Sequence, residues 1–64
     1  MAKPRMNSPV RVKNATGINR AYNGHLGIVY DIVPEGRHTY YKVRLNNRKE
    51  IVLLQNELEV LRNT

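Results

Sequence analysis

Leu26-Gly27-Ile28-Val29-Tyr30-Asp31-Ile32-Val33 is the stretch that decides the fold. Branched aliphatic and aromatic side chains dominate it, the types that suit a pleated, half-buried surface. The apolar run is nearly continuous, which implies a strand covered on both faces for part of its length. Gly27 inside the run marks a bulge or a close approach of another backbone. Tyr30 then falls on either face, depending on that bulge. Pro34-Glu35-Gly36 follows and reads as a turn, with Pro fixing φ early and Gly accepting positive φ.

Working outward, Thr39 to Asn46 alternates strictly. Tyr41, Val43 and Leu45 share one face of a strand, and Tyr40, Lys42 and Arg44 share the other. Asn46-Asn47 suits a tight turn, because Asn tolerates the left-handed region. Glu50 to Leu54 reads as the next strand, Gln55-Asn56-Glu57 as a break with one helical turn, and Leu58 to Leu61 as a last short strand. Leu53, Leu54, Glu57, Leu58 and Leu61 also have helical spacing, but Ile51-Val52 and the short length favour strands. Upstream, Pro9-Val10-Arg11-Val12-Lys13 alternates apolar and basic residues, with Val10 and Val12 inward. Asn14 to Asn23 is a long polar loop. Residues 1–8 carry Lys3 and Arg5 without apolar periodicity and read as a flexible basic arm, and residues 62–64 as a tail. The expected domain therefore spans residues 9–61.

Five short strands with a long first loop predict an all-β fold, a small five-stranded SH3-like barrel. Closure would hide the edge backbone groups that an open sheet of this size exposes. The chain has 64 residues and no cysteine, so neither a disulfide nor a zinc-thiolate staple supports its small core. The lack of cysteine suits a reducing compartment. No apolar run approaches the roughly 20 residues of a membrane-crossing helix, and the N-terminal residues lack a signal-peptide core. A cytoplasmic, soluble protein is expected, without a membrane partner.

The formal net charge is +6. Lys3, Arg5, Arg11, Lys13 and Arg20 all lie in residues 1–20, where there is no acid. A field that lopsided attracts anionic partners, nucleic acid first among them. Arg11 and Lys13 share the outward face of the first strand. Tyr40, Lys42 and Arg44 place an aromatic beside two cations, a combination that stacks a base and neutralises phosphates. Arg37 and Arg48-Lys49 add positive loops. Catalysis is not expected. Ser8 is the only serine, and no acids converge as a desolvated pair. His25 and His38 lack a third metal ligand. No cofactor or metal is expected.

Tyr22-Asn23-Gly24-His25-Leu26-Gly27-Ile28-Val29-Tyr30-Asp31-Ile32 resembles the KOW motif: a glycine, two residues, a second glycine, then an apolar strand. Val10-Arg11-Val12 before it and Tyr41-Lys42-Val43-Arg44-Leu45 after it stand where a KOW domain has strands. Gln55-Asn56-Glu57-Leu58-Glu59-Val60 looks like the closing turn and strand of SH3-like barrels. The resemblance implies RNA or DNA binding, with the loop beside the glycines (Arg20, Tyr22, Asn23 and His25) at the nucleic acid. The layout is also similar to that of the small basic subunit of photosystem I and of the ferredoxin-docking subunit of the photosynthetic NDH complex, which implies docking instead. The plasmid-encoded dihydrofolate reductases have a similar fold, but their active-site Val-Gln-Ile-Tyr run would fall on Glu50-Ile51-Val52-Leu53, where neither Gln nor Tyr is present.

The expected function is thus a non-enzymatic nucleic-acid-binding monomer contacting phosphates through Lys3, Arg5, Arg11, Lys13, Arg20, Tyr22, Tyr40, Lys42 and Arg44. The alternatives are a docking subunit for an acidic protein partner, and self-assembly through exposed parts of the leucine-rich C-terminal strands.

Overall fold

The computed structural model describes residues 3–61. The expected tail, 62–64, and the first two residues of the expected arm lie outside them. Five strands form one antiparallel sheet: β1 (Pro9–Val12), β2 (Leu26–Glu35), β3 (His38–Leu45), β4 (Glu50–Leu54) and β5 (Leu58–Val60), in the order β4-β3-β2-β1-β5. The all-β class is as expected. The closed barrel is not: no ladder joins β4 to β5, and both are sheet edges. A 3-10 turn, Gln55–Glu57, connects the two edges. Its Glu57 carboxylate accepts the Leu54 backbone N–H at 3.0 Å, which satisfies a donor where the strand breaks.

The core follows the alternation. Val10, Val12, Val29, Tyr41, Val43, Leu45, Ile51, Leu53 and Leu58 point inward and are buried, with Ala15 from the first loop. Leu53 and Leu58 are thus core residues, whereas Val52, beside Leu53 on β4, is exposed. Among the described residues no buried side chain is polar or charged.

β2 is the long element that both halves of the sheet share. Its first residues pair with β1 (Pro9 with Ile28, Arg11 with Leu26) and with β3, while its second half pairs with β3 alone. Two details of the reading change here. The bulge sits at Tyr30, between Val29 and Asp31, not at Gly27. Gly27 is the close approach instead: a Cβ there would lie 2.7 Å from both Arg44 O and Val43 Cγ1. The strand also runs through Pro34 to Glu35, so the turn is the two residues Gly36-Arg37, with Gly36 at φ 60°. Pro34 is tolerated because that end of β2 has a neighbour on one side only, and its missing N–H is not required by a second ladder.

The last two residues of the expected arm are bonded to the sheet. Asn7 N–H donates to Val29 O at 2.7 Å, Val29 N–H to Ser8 O at 3.0 Å, and Pro4 is buried. No helix among the described residues is long and apolar enough to cross a membrane.

Candidate functional site

The loop from Lys13 to His25 is held shut by its own polar groups. Asn14 and Gly17 adopt positive φ and turn the chain back. Residues Gly17–Tyr22 form a 3-10 helix. Asn23 then clamps the base: its side chain accepts from Ala15 N–H at 2.9 Å and donates to Ala15 O at 3.2 Å. Gly24, at φ 92°, sends its N–H to Val12 O. The loop also reaches across to the sheet edge, where the Asn19 amide donates to Val52 O at 2.9 Å. That bond covers part of the edge of β4.

His25 Nδ1 lies 3.1 Å from Tyr22 O, and a carbonyl only accepts, so this nitrogen carries the proton. Tyr22 packs edge-on against the His25 ring and against the core. It therefore braces the loop instead of offering a free stacking face. Tyr40 is half-buried on the outer face, tilted against His38.

The strand-face cations are all engaged. Arg11 pairs with Glu59 across β1 and β5 at 3.6 Å, and Lys42 with Asp31 across β3 and β2 at 4.0 Å. Arg44 holds Glu50 with two nitrogens, at 2.9 and 3.1 Å, and lies 5.2 Å from the Tyr30 ring centroid. The Tyr30 hydroxyl donates to the other Glu50 oxygen at 3.4 Å. Desolvation pushes the Tyr30 phenol above its ordinary value, and the Glu50 carboxylate adds to this by charge and hydrogen bond, against the opposing Arg44. The outer face of the sheet is thus balanced, with one carboxylate for each cation.

The excess charge lies at the chain turns. Among the described residues, Lys3, Arg5, Lys13, Arg20, Arg37, Arg48 and Lys49 are exposed and make no ion pair. Three of these, Lys13, Arg48 and Lys49, are linked through backbone neighbours at one end of the sheet, and Arg20 stands beside the middle of the β4 edge. Asn46 N–H donates to Leu26 O, which places the turn carrying Arg48 and Lys49 against the start of β2. Val12 N–H donates to His25 O, which places Lys13 beside that same start. Arg20 stands next to Asn19, whose bond to Val52 sets it against β4, about 10 Å along the strand from Lys49. Lys3 and Arg5 lie on the N-terminal segment, whose Asn7 and Ser8 bond to Val29 of β2, and Arg37 lies at the far hairpin.

Arg48 has a second distinction. The expected two-residue Asn46-Asn47 turn is a three-residue loop, Asn46 to Arg48, closed where Leu45 N–H donates to Lys49 O at 2.7 Å, and its left-handed position falls on Arg48 at φ 72°. The other non-glycine residues with positive φ, Asn7 and Asn14, are of the type that tolerates it.

Sequence reasoning missed Ile18. It is 92% exposed, at the outer side of the first 3-10 helix and two residues from Arg20. The only signal was an isolated aliphatic residue in a polar loop. Among the described residues there is no group of three potential metal ligands. Comparison with protein-family models, curated proteins and solved structures finds no match to this chain.

Proposed function

We propose that this chain is a non-enzymatic nucleic-acid-binding module of the KOW, SH3-like kind, acting in the cytoplasm, that holds phosphates with the turns at one end of its sheet. The observation that carries this reading is the division of charge. Arg11, Lys42 and Arg44 are paired across strands, whereas Lys13, Arg20, Arg48 and Lys49 are exposed and unpaired among the described residues. Unpaired surface cations bind phosphates without first giving up a carboxylate. Ile18 beside Arg20 adds an apolar contact of the kind made to thymine methyls or to partly unstacked base steps. The strand order, the long first loop and the 3-10 turn before β5 support the SH3-like reading.

Phosphate contacts make affinity salt-dependent through counterion release. Four contacts on duplex DNA give a slope of log K against log salt of about −3.6. Neutralising Arg48 and Lys49 to glutamine should reduce it to about −1.8. Neutralising Lys42 and Arg44 should change it much less. Fluorescence anisotropy with a labelled duplex and a labelled single-stranded RNA measures both. A chain that binds neither at low salt overturns this reading, and the exposed charge would then serve an acidic protein partner.

A further inference from the structure

His25 stands where the basic end of the sheet is joined together. Its carbonyl receives the Val12 N–H, which brings Lys13 to one side of it. The carbonyl of its neighbour Leu26 receives the Asn46 N–H, which brings the turn of Arg48 and Lys49 to the other. Gly24 N–H donates to Val12 O at 2.7 Å and fixes the approach of the chain. Tyr22 O then accepts twice from His25, from the backbone N–H at 2.9 Å and from Nδ1 at 3.1 Å. The Tyr22 ring stands edge-on to the imidazole, with 5.7 Å between centroids. Backbone and ring of His25 are therefore both held before any ligand arrives.

Because Nδ1 is the donor, the free nitrogen is Nε2. It makes no hydrogen bond among the described residues, and no buried side-chain nitrogen or oxygen there lacks a partner, so Nε2 reaches solvent. In a neutral imidazole with its proton on Nδ1, Nε2 only accepts. A phosphate oxygen also only accepts, so neutral His25 has nothing to give it. Protonation turns Nε2 into a second donor and adds a positive charge between Lys13 and the turn of Arg48 and Lys49. The charged and titratable groups around the ring are Tyr22 and Arg20 from the 3-10 helix, Lys13 after β1, and Arg48 and Lys49 after β3. Among the described residues no carboxylate pairs with His25. Glu57, whose carbonyl receives the Lys13 N–H, turns its carboxylate to the Leu54 N–H instead.

From this geometry we infer that His25 is a fifth phosphate contact, made through Nε2 and only by the protonated ring, so that nucleic acid is held more tightly as pH falls. The contact rests on the proposed nucleic-acid binding and adds a dependence on pH to it. Linkage fixes the sign: if the protonated ring binds phosphate better, bound phosphate keeps the proton on His25 to a higher pH than the free chain does. One charge-assisted hydrogen bond is worth at least about tenfold in affinity. One extra cation on duplex DNA steepens the salt slope by about 0.9, from about −3.6 to about −4.5.

The test is anisotropy with a labelled duplex DNA and a labelled single-stranded RNA at about pH 5.5 and about pH 8, on either side of histidine's ordinary range, each over a salt series. The expected result is affinity at least about tenfold higher at the lower pH, with the steeper salt slope. His25→Gln should remove that gain. His38→Gln should keep it, since His38 begins β3 at the far hairpin. Glutamine gives up the ring packing against Tyr22, so the wild-type chain supplies a second measurement. Followed by NMR with and without the duplex, the His25 ring signals should titrate at higher pH when it is bound, and those of His38 should not move. Equal affinity at both pH values, or a gain that His25→Gln retains, overturns the His25 contact and leaves the nucleic-acid module standing. Tighter binding at the higher pH overturns it too, since Nε2 would then be accepting from a donor such as a base amino group. A chain that binds neither probe at either pH, at low salt, overturns the contact and the module together.

Discussion

Replacing Arg48 by glycine should make the protein more stable and a poorer ligand for nucleic acid at the same time. Arg48 sits at φ 72°, a left-handed conformation that costs an L-residue about 1–2 kcal/mol. Glycine adopts it freely but gives up about 0.5–1 kcal/mol through the greater freedom of its unfolded chain. The net gain is about 0.5–1 kcal/mol. In a domain this small that raises the melting temperature by roughly 2–8 °C. The side chain itself is exposed and makes no ion pair among the described residues, so its removal takes nothing from the fold. Under the proposed function one phosphate contact would be lost, and the salt slope should flatten by about 0.9. Calorimetry and anisotropy on the same preparation read both. A lower melting temperature would refute the strain argument. A higher one with an unchanged salt slope would remove Arg48 from the interface.

Gly27→Ala should destabilise by about 1–3 kcal/mol, because the new methyl meets the Arg44 carbonyl and the buried Val43 side chain at 2.7 Å, and a strand backbone yields little; a thermal melt equal to wild type would mean that β2 and β3 do not approach so closely. Asn23→Ala removes both bonds that clamp the first loop to Ala15 and should cost about 1–2 kcal/mol, with faster amide exchange across residues 15–23 as the specific sign. In an ultraviolet titration Tyr30 should ionise above the ordinary tyrosine value of about 10, a component that vanishes in Tyr30→Phe. A raised folded-state value means that Tyr30's contribution to stability is present below about pH 10 and is lost as pH rises through the folded value. Glu50→Gln should move that ionisation back down.

The strands were legible where one face is buried. In β3, Tyr41, Val43 and Leu45 can only be inward if Tyr40, Lys42 and Arg44 are outward, and the structure keeps that division. The bulge at Tyr30 was not legible, because a near-continuous apolar run has no polar residue to reveal a change of phase. Pro34 suggested a turn one step too early, since its tolerance depends on β2 lacking a second neighbour there, which is a property of the sheet.

The ion pairs were hidden for a related reason. A two-residue turn at Asn46-Asn47 would set Arg44 opposite Lys49, two like charges. The three-residue loop sets it opposite Glu50. A single misplaced turn therefore makes a neutral face look like a cationic one. Arg11 and Glu59 come from opposite ends of the chain, and only the β1–β5 ladder brings them together. Lys13 and Arg20 were legible as candidates, but their lack of partners among the described residues follows from where the acids fall.

Under the proposed function, phosphates meet the sheet end and not the strand faces. The most direct measurement is a titration of the isotopically labelled chain with a short duplex DNA and then a single-stranded RNA, following backbone amides at low and physiological salt. Salt-sensitive shifts are expected at Lys13, Ile18, Arg20, Arg48 and Lys49, with Lys42 and Arg44 nearly unmoved. Shifts centred on Arg11, Lys42 and Arg44, with the turns silent, would contradict it.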